Sequence, residues 1–195
     1  MTSFNLKTNS DIATNYQKGL LPQRNLPGAF YQDTSCRSNL ANFFLSSENR
    51  RILRKTENFS YEVTPLKDFS YTPQVQKQIK DWIKQLGWDF PISSVKTIFT
   101  KHIFNQVYVW RYQEKIVAFD VCYLNSELCH TAYVFFDPNF SRTGLPIRLV
   151  LQCVIDSQTA GQKYCYLGRY TEGSYKRTMP GFEYYQNGEW LKYSK

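Results

Sequence analysis

The chain has 195 residues, 42% of them hydrophobic, enough to bury a sizeable core and to argue against disorder over most of its length. Lys and Arg number 24 against 16 Asp and Glu, and the resulting formal charge of +8 favours a polyanionic partner such as RNA without identifying it. No run reaches the roughly 18 apolar residues that span a bilayer, and the polar start "MTSFNLKTNSDIATNYQKG" has no secretion-signal core, so the expectation is a soluble, cytoplasmic protein with no membrane partner.

Residues 1–65 show no sustained hydrophobic period and are punctuated by Gly19, Pro22, Pro27 and Gly28. They read as a small N-terminal subdomain of short strands and turns with one basic helix. That helix, "SSENRRILRK" at 46–55, groups Arg50, Arg51, Arg54 and Lys55 within one or two turns, with Ser46 or Ser47 as the cap. A solvated face and a phosphate-binding face both fit it. A longer helix starts at "TPQVQKQIKDWIKQLGW": Thr72 caps, Pro73 takes the first position, Val75, Ile79, Trp82, Ile83 and Leu86 recur at helical spacing, and Gly87 stops it.

Three β-type runs follow, at 107–112, 115–124 and 128–137, joined by short turns into an antiparallel meander. The third ends at Asp137-Pro138 and passes through "NFSRTG" into the apolar helix "LPIRLVLQCVIDSQTA", which Gly161 closes before a strand at 164–168. Strand, helix and strand with a short return imply a βαβ crossover and a parallel last pair.

This order of elements resembles acyltransferases of the GNAT type, α+β proteins with a mixed sheet in which two parallel strands splay and the gap holds the acyl donor. Residues 66–195 would then form the GNAT-like transferase domain. The loop "SRTGLPIR" at 141–148 would present free N–H groups and a helix dipole to a phosphate, with Arg142, Gly144 and Arg148 beside it. GNAT proteins that use coenzyme A carry Arg or Gln and then two glycines one residue apart. Gly144 stands alone before Leu145-Pro146, which disfavours coenzyme A.

The stretch 132–190 resembles the C-terminal half of aminoacyl-tRNA-protein transferases, the arginyl and bacterial leucyl enzymes. Tyr133, Phe135, Phe136, Asp137 and Pro138 match that family's Tyr-x-Phe-Phe-Asp-Pro run. Tyr166, Leu167 and Gly168 match its Tyr-Leu-Gly-Tyr strand, Tyr175 and Lys176 its Tyr-Lys pair, and Pro180, Glu183, Gly188 and Trp190 its closing landmarks. "GAFYQDTSCRSN" and "SSENRRILRK" are similar to its N-terminal segments, with Asn39 where the second cysteine would stand. That departure, with Cys36 alone, speaks against an iron-sulfur cluster. The remaining cysteines, Cys122, Cys129, Cys153 and Cys165, lie in apolar runs without CxxC spacing and read as reduced core residues, so no metal site is expected.

The resemblance implies transfer of an amino acid from its tRNA ester to the N-terminal amine of a protein or peptide, with aminoacyl-tRNA as co-substrate and no other cofactor. An activated ester requires alignment and oxyanion stabilisation, with no covalent intermediate. Asp137, Tyr175 and Lys176 are the catalytic candidates it implies. Arg142, Gly144, Tyr166, Gly168, Arg169, Tyr170, Arg50, Arg51 and Arg54 are candidates for binding tRNA or substrate. The tail "LGRYTEGSYKRTMPGFEYYQNGEW" would wall the site, since Tyr and Trp gain little unless packed or stacked. For Asp137, turn structure and proton acceptance both remain open. The alternation "L-H-A-V-F" places His130 on an apolar face as a satisfied core histidine. The competing functions are an acyl-CoA-dependent GNAT N-acyltransferase and a non-catalytic module that binds tRNA or protein N-termini.

Overall fold

The computed structural model describes residues 9–193, so the first eight residues of the polar start lie outside the described residues. Among these residues, ten strands and five α-helices run in the order α1 (Asn9–Gln17), β1 (Leu20–Pro22), β2 (Phe30–Gln32), β3 (Ser35–Asn39), α2 (Ser47–Lys55), β4 (Phe59–Pro65), α3 (Pro73–Gln85) and α4 (Ile92–Thr100). They continue with β5 (Gln106–Tyr112), β6 (Lys115–Leu124), β7 (Leu128–Phe136), α5 (Leu145–Thr159), β8 (Tyr164–Arg169), β9 (Phe182–Gln186) and β10 (Glu189–Lys192). Apart from the small β1-β2 hairpin, the strands form one sheet in the order β10-β9-β3-β8-β7-β6-β5-β4. Only β7 and β8 among its neighbours are parallel, so this is the mixed α+β sheet that the element order implied.

The segment before residue 66 shares that sheet. β3 lies between β8 and β9, and β4 forms the far edge beside β5. One sheet face is covered by α2 and α5, through Ile52, Leu145, Leu149, Cys153 and Val154. The other carries α1, α3 and α4, through Ile12, Tyr16, Ile79, Trp82, Ile83, Val95 and Ile98. Burial of this kind, at roughly 1.5–3 kcal/mol for each large apolar side chain, holds both layers.

Local chemistry fixes the helix ends near the site. Ser46 accepts from the Asn49 N–H while the Asn49 amide oxygen accepts from the Ser46 N–H, a reciprocal cap that starts α2. The other end of the Asn49 amide donates to the Thr178 carbonyl at 3.0 Å, tying α2 to the C-terminal segment.

The splay is written in the registers. Pairing between β7 and β8 is confined to Leu128↔Tyr164, Cys129↔Cys165 and His130↔Tyr166. Past those rungs β7 stays with β6, as far as Phe136↔Ala118, while β8 stays with β3, as far as Arg169↔Ser35. A bulge between Val121 and Cys122 pairs Tyr133 with Val121 but Thr131 with Cys122, leaving Ala132 as the extra residue. The simple alternation that set His130 on one face with Val134 and Phe136 is thereby broken. Phe136 packs in the layer under α5, whereas His130 contacts Tyr16 in the opposite layer.

Candidate active site

Where β7 and β8 part, side chains from five segments converge. β6 contributes Asp120, β7 contributes His130 and Thr131, β3 contributes Cys36, β8 contributes Gly168, and a 3-10 turn at Tyr175–Thr178 supplies Tyr175 and Lys176. Ser174 starts that turn by accepting from the Lys176 N–H, and the Asn49 contact holds its end.

Asp120 is fully buried, and Thr131 Oγ1 donates to its two carboxylate oxygens at 3.0 and 2.9 Å. Loss of hydration raises its pKa to about 8; the Thr131 hydrogen bond opposes the rise without overcoming it. Tyr175 exposes 37% of its surface, yet its phenol is raised by desolvation first and then by the charges of Asp120 and Cys36. It therefore spans from solvent toward the buried carboxyl. Lys176 Nζ donates to the Arg169 carbonyl at 2.8 Å, and burial lowers its pKa. Cys36 Sγ donates to the Gly168 carbonyl at 3.4 Å, and desolvation pushes the thiol up to about 12, so it stays protonated.

Gly168 adopts φ +78, and a Cβ placed there would lie 3.6 Å from His130 Nε2 and 3.7 Å from Lys176 Nζ. A side chain at this position would be strained, and its first carbon would sit in contact with both nitrogens. His130 is buried, its Nδ1 lies 2.7 Å from the Tyr16 hydroxyl, and its Nε2 has no partner among the described residues. Burial lowers its pKa to about 3, so the ring is neutral.

The other sequence candidates sit elsewhere. Asp137 lies at the end of β7, where its carboxylate accepts from the Asn139 N–H and pairs with Lys115 at 3.5 Å. The first caps the turn that follows β7, and the second ties it to the start of β6. Tyr166 is fully buried against Tyr16 and Trp190 and accepts from Arg37 at 3.4 Å, behind the site wall. Tyr170 packs between Phe182 and Tyr184, and Arg169 pairs with Asp33 at 3.3 Å. Arg50, Arg51 and Arg54 line the exposed side of α2, Arg51 pairing with Glu48 at 2.6 Å. Arg142 is exposed nearby, and Lys55 donates to its carbonyl. Gly144 is φ +94 and is packed by Ile52, while Arg148 donates to the Leu53 carbonyl, so α2 covers the start of α5.

The C-terminal aromatics serve mainly to brace the sheet. Glu183 pairs with Arg37 at 2.9 Å and accepts from the Asn39 amide at 2.8 Å. The Arg37 guanidinium is held between the rings of Tyr164 and Trp190, at 3.8 and 4.0 Å. Asn39, in place of a second cysteine, is thus spent on Glu183 and on the Ala41 N–H, and Cys36 has no thiol partner beside it. The segment does not fit an iron-sulfur cluster. Among the described residues, one group of ligand atoms converges closely enough for an ion, the thiols of Cys122, Cys129 and Cys153. These lie in the apolar layer beneath α5, with Sγ atoms of Cys129 and Cys153 3.3 Å apart, and pack as small apolar side chains.

Asp120 and Arg37 escaped the sequence reading. The available signal was an acid in the middle of the apolar run "VAFDVCY" and an arginine in the short polar run "SCRSN".

Residues 59–187 match the family model described as arginine-tRNA-protein transferase, C terminus. The chain belongs to that family. The match to the arginine-tRNA-protein transferase C terminus includes Asp120, His130, Gly168, Tyr175 and Lys176, while Cys36 and Arg37 precede it. An aspartate/glutamate leucyltransferase of Dinoroseobacter shibae is 42% identical over 62 residues, 30% of this chain and 22% of that protein. One of Acinetobacter baumannii is 23% identical over 180 residues, covering 84% of this chain and 64% of its own. This chain therefore spans less than two thirds of either relative.

Among solved structures, the C-terminal domain of an Agrobacterium fabrum protein described as a lysylphosphatidylglycerol synthetase matches with TM-score 0.52 and 16% identity, over 70% of this chain and 46% of that one. A GCN5-related glucosamine N-acetyltransferase region in a fungal β-N-acetylglucosaminidase matches with TM-score 0.51 and 12% identity, over 93% of this chain and 22% of that one. At such identities the likeness concerns the fold, which is GNAT-like. No helix among the described residues is long and apolar enough to cross a membrane.

Proposed function

We propose that the chain transfers an amino acid from its tRNA ester to the N-terminal amine of a protein or peptide. The observation that carries this reading is the meeting of Tyr175, Lys176 and Asp120 where β7 and β8 part, within the family match. In this reaction the amine nitrogen bonds to the ester carbonyl carbon, the bond to the tRNA ribose oxygen breaks, and the proton shed by the amine ends on that oxygen. Asp120, raised to about 8, takes the amine proton in its ionised form, the minority near neutral pH, and returns it to the leaving ribose oxygen, with Tyr175 between it and solvent. This role passes from Asp137 to Asp120 because the Asp137 carboxylate is engaged by Lys115 and Asn139. Lys176 supplies positive charge at the developing oxyanion.

Arg50, Arg51 and Arg54 on α2, with Arg142 on the adjoining loop, form the proposed tRNA phosphate contacts. Coenzyme A is disfavoured on two grounds. α2 packs over the start of α5, and the Leu145 N–H there is already bonded to Thr143 Oγ1 at 3.2 Å. The test is incorporation of labelled amino acids from a pool of charged tRNAs into peptides varying in their first residue. Lys176→Ala is expected to lower transfer at least tenfold with the circular dichroism spectrum unchanged, since a charge-assisted contact is worth about 1.5–3 kcal/mol. Transfer from acyl-CoA instead, or tRNA binding without any transfer by the wild type, would overturn this function.

A further inference from the structure

His130 is the buried polar group that this chemistry has not yet used. Among the described residues its Nε2 is unpartnered, the residue is only 3% exposed, and the atom lies 3.6 Å from where a Cβ on Gly168 would stand, with Lys176 Nζ 3.7 Å from the same point. A buried donor without an acceptor typically costs about 1–3 kcal/mol, so such a group calls for a reason. Here the reason lies in which ring nitrogen carries the proton. Tyr16 is fully buried and its phenol is held protonated, foremost by desolvation. Donating to His130 Nδ1 at 2.7 Å gives the phenolic proton an acceptor and leaves the imidazole proton on Nε2. The opposite arrangement would strand the phenolic proton in an apolar layer. Burial, with Lys176 close by adding to it, keeps the ring neutral, and its free nitrogen is then a pure donor.

We infer that the space over Gly168 is an oxyanion subsite, in which His130 Nε2–H and Lys176 Nζ together receive the carbonyl oxygen of the acyl donor as the tetrahedral centre forms, with Tyr16 as the positioning residue that fixes the tautomer. The inference rests on the aminoacyl-ester reading of the site. Gly168 is then required because any Cβ would occupy the volume the oxygen needs. The Lys176 ammonium spends one proton on the Arg169 carbonyl and keeps two for substrate. A neutral imidazole N–H beside a cation favours the charged tetrahedral form over the planar ester, which is the differential binding that accelerates a reaction.

The experiment compares two 3′-modified adenosines, a planar 3′-aminoacylamide and a tetrahedral, anionic 3′-aminoalkylphosphonate. Calorimetric affinities are measured for the wild type, His130→Ala and His130→Gln, which keeps a donor. Alongside them, ¹⁵N imidazole shifts are recorded for the wild type and Tyr16→Phe. The expected result is a loss of at least tenfold in phosphonate affinity for His130→Ala, a change under threefold for the amide, and partial recovery in His130→Gln. Wild-type shifts should report the Nε2–H tautomer, and Tyr16→Phe should mix the tautomers while lowering kcat more than it raises KM. Equal losses for both ligands, or an Nδ1–H tautomer in the wild type, would overturn the subsite while leaving the proposed transfer intact. Binding of neither ligand by the wild type would overturn both. If His130→Ala does not fold, the wild-type tautomer decides.

Discussion

Replacing Asp120 by Asn should change how stability depends on pH more than how the protein folds. Asn keeps the shape of the carboxyl and can accept from Thr131 Oγ1, but it never ionises in the layer where Asp120 is fully buried. Because the folded-state pKa of Asp120, about 8, lies above its ordinary value of 3.8, the native state binds the proton more tightly than the unfolded chain. Its contribution is fully present below pH 4 and is lost as the pH rises toward 8. Each unit of that window is worth about 1.4 kcal/mol, which sets a ceiling of roughly 6 kcal/mol for the whole titration. The variant lacks this loss and shares every other titrating group with the wild type. Urea unfolding by linear extrapolation at each unit from pH 5 to 9 should show the variant gaining on the wild type, by up to about 3 kcal/mol between pH 5 and 7, and levelling off above pH 8. Two curves running parallel with pH would refute a strongly raised Asp120 and the proton-acceptor role built on it.

Glu183→Ala should cost about 3–5 kcal/mol in urea unfolding, because it strands Arg37, a cation buried to 6% exposure; Arg37→Met with Glu183→Leu should recover much of that loss. Gln113 and Glu114 both hold left-handed backbone, at φ 48 and 61, in the turn between β5 and β6. Asn-Gly there should stabilise by about 1 kcal/mol, read as a rise of about 2–4 °C in Tm. For tRNA, affinity measured from low to moderate salt should fall steeply, and Arg54→Ala should reduce the log-log slope by about one; a slope unchanged by any of the α2 arginines would move the RNA contact elsewhere.

The meander, α3, α5 and β8 were legible because each carries its own periodicity and stop signal, from Thr72-Pro73 and Gly87 to the closing Gly161. α4, "ISSVKTIFT", was not, since β-branched residues and Ser give it weak helix propensity and the burial of Val95, Ile98 and Phe99 sustains it. β3 was hidden for a different reason. Its sequence is "SCRSN", and four of its five residues are buried between β8 and β9, a strand interior that no hydrophobic pattern announces. In the site, Tyr175, Lys176 and Gly168 could be found through family landmarks. Asp120 needed the bulge at Val121-Cys122, which brings Thr131 to the side of β7 on which it meets Asp120, and local sequence does not specify that geometry.

The central place of β3 also bears on how the chain is made. A ribosome releases residues 35–39 long before either partner strand exists, since β8 starts at Tyr164 and β9 at Phe182. Until then both edges of β3 and the outer edge of β7 are bare, and bare edges pair with whatever strand is near. Synthesis that stalls within α5 would therefore yield a chain with a finished meander and a loose β3, exposed to association with its neighbours on the polysome. Only the arrival of β8 and then β9 ends this exposure, so the β9-β10 hairpin that braces the sheet also closes it in time.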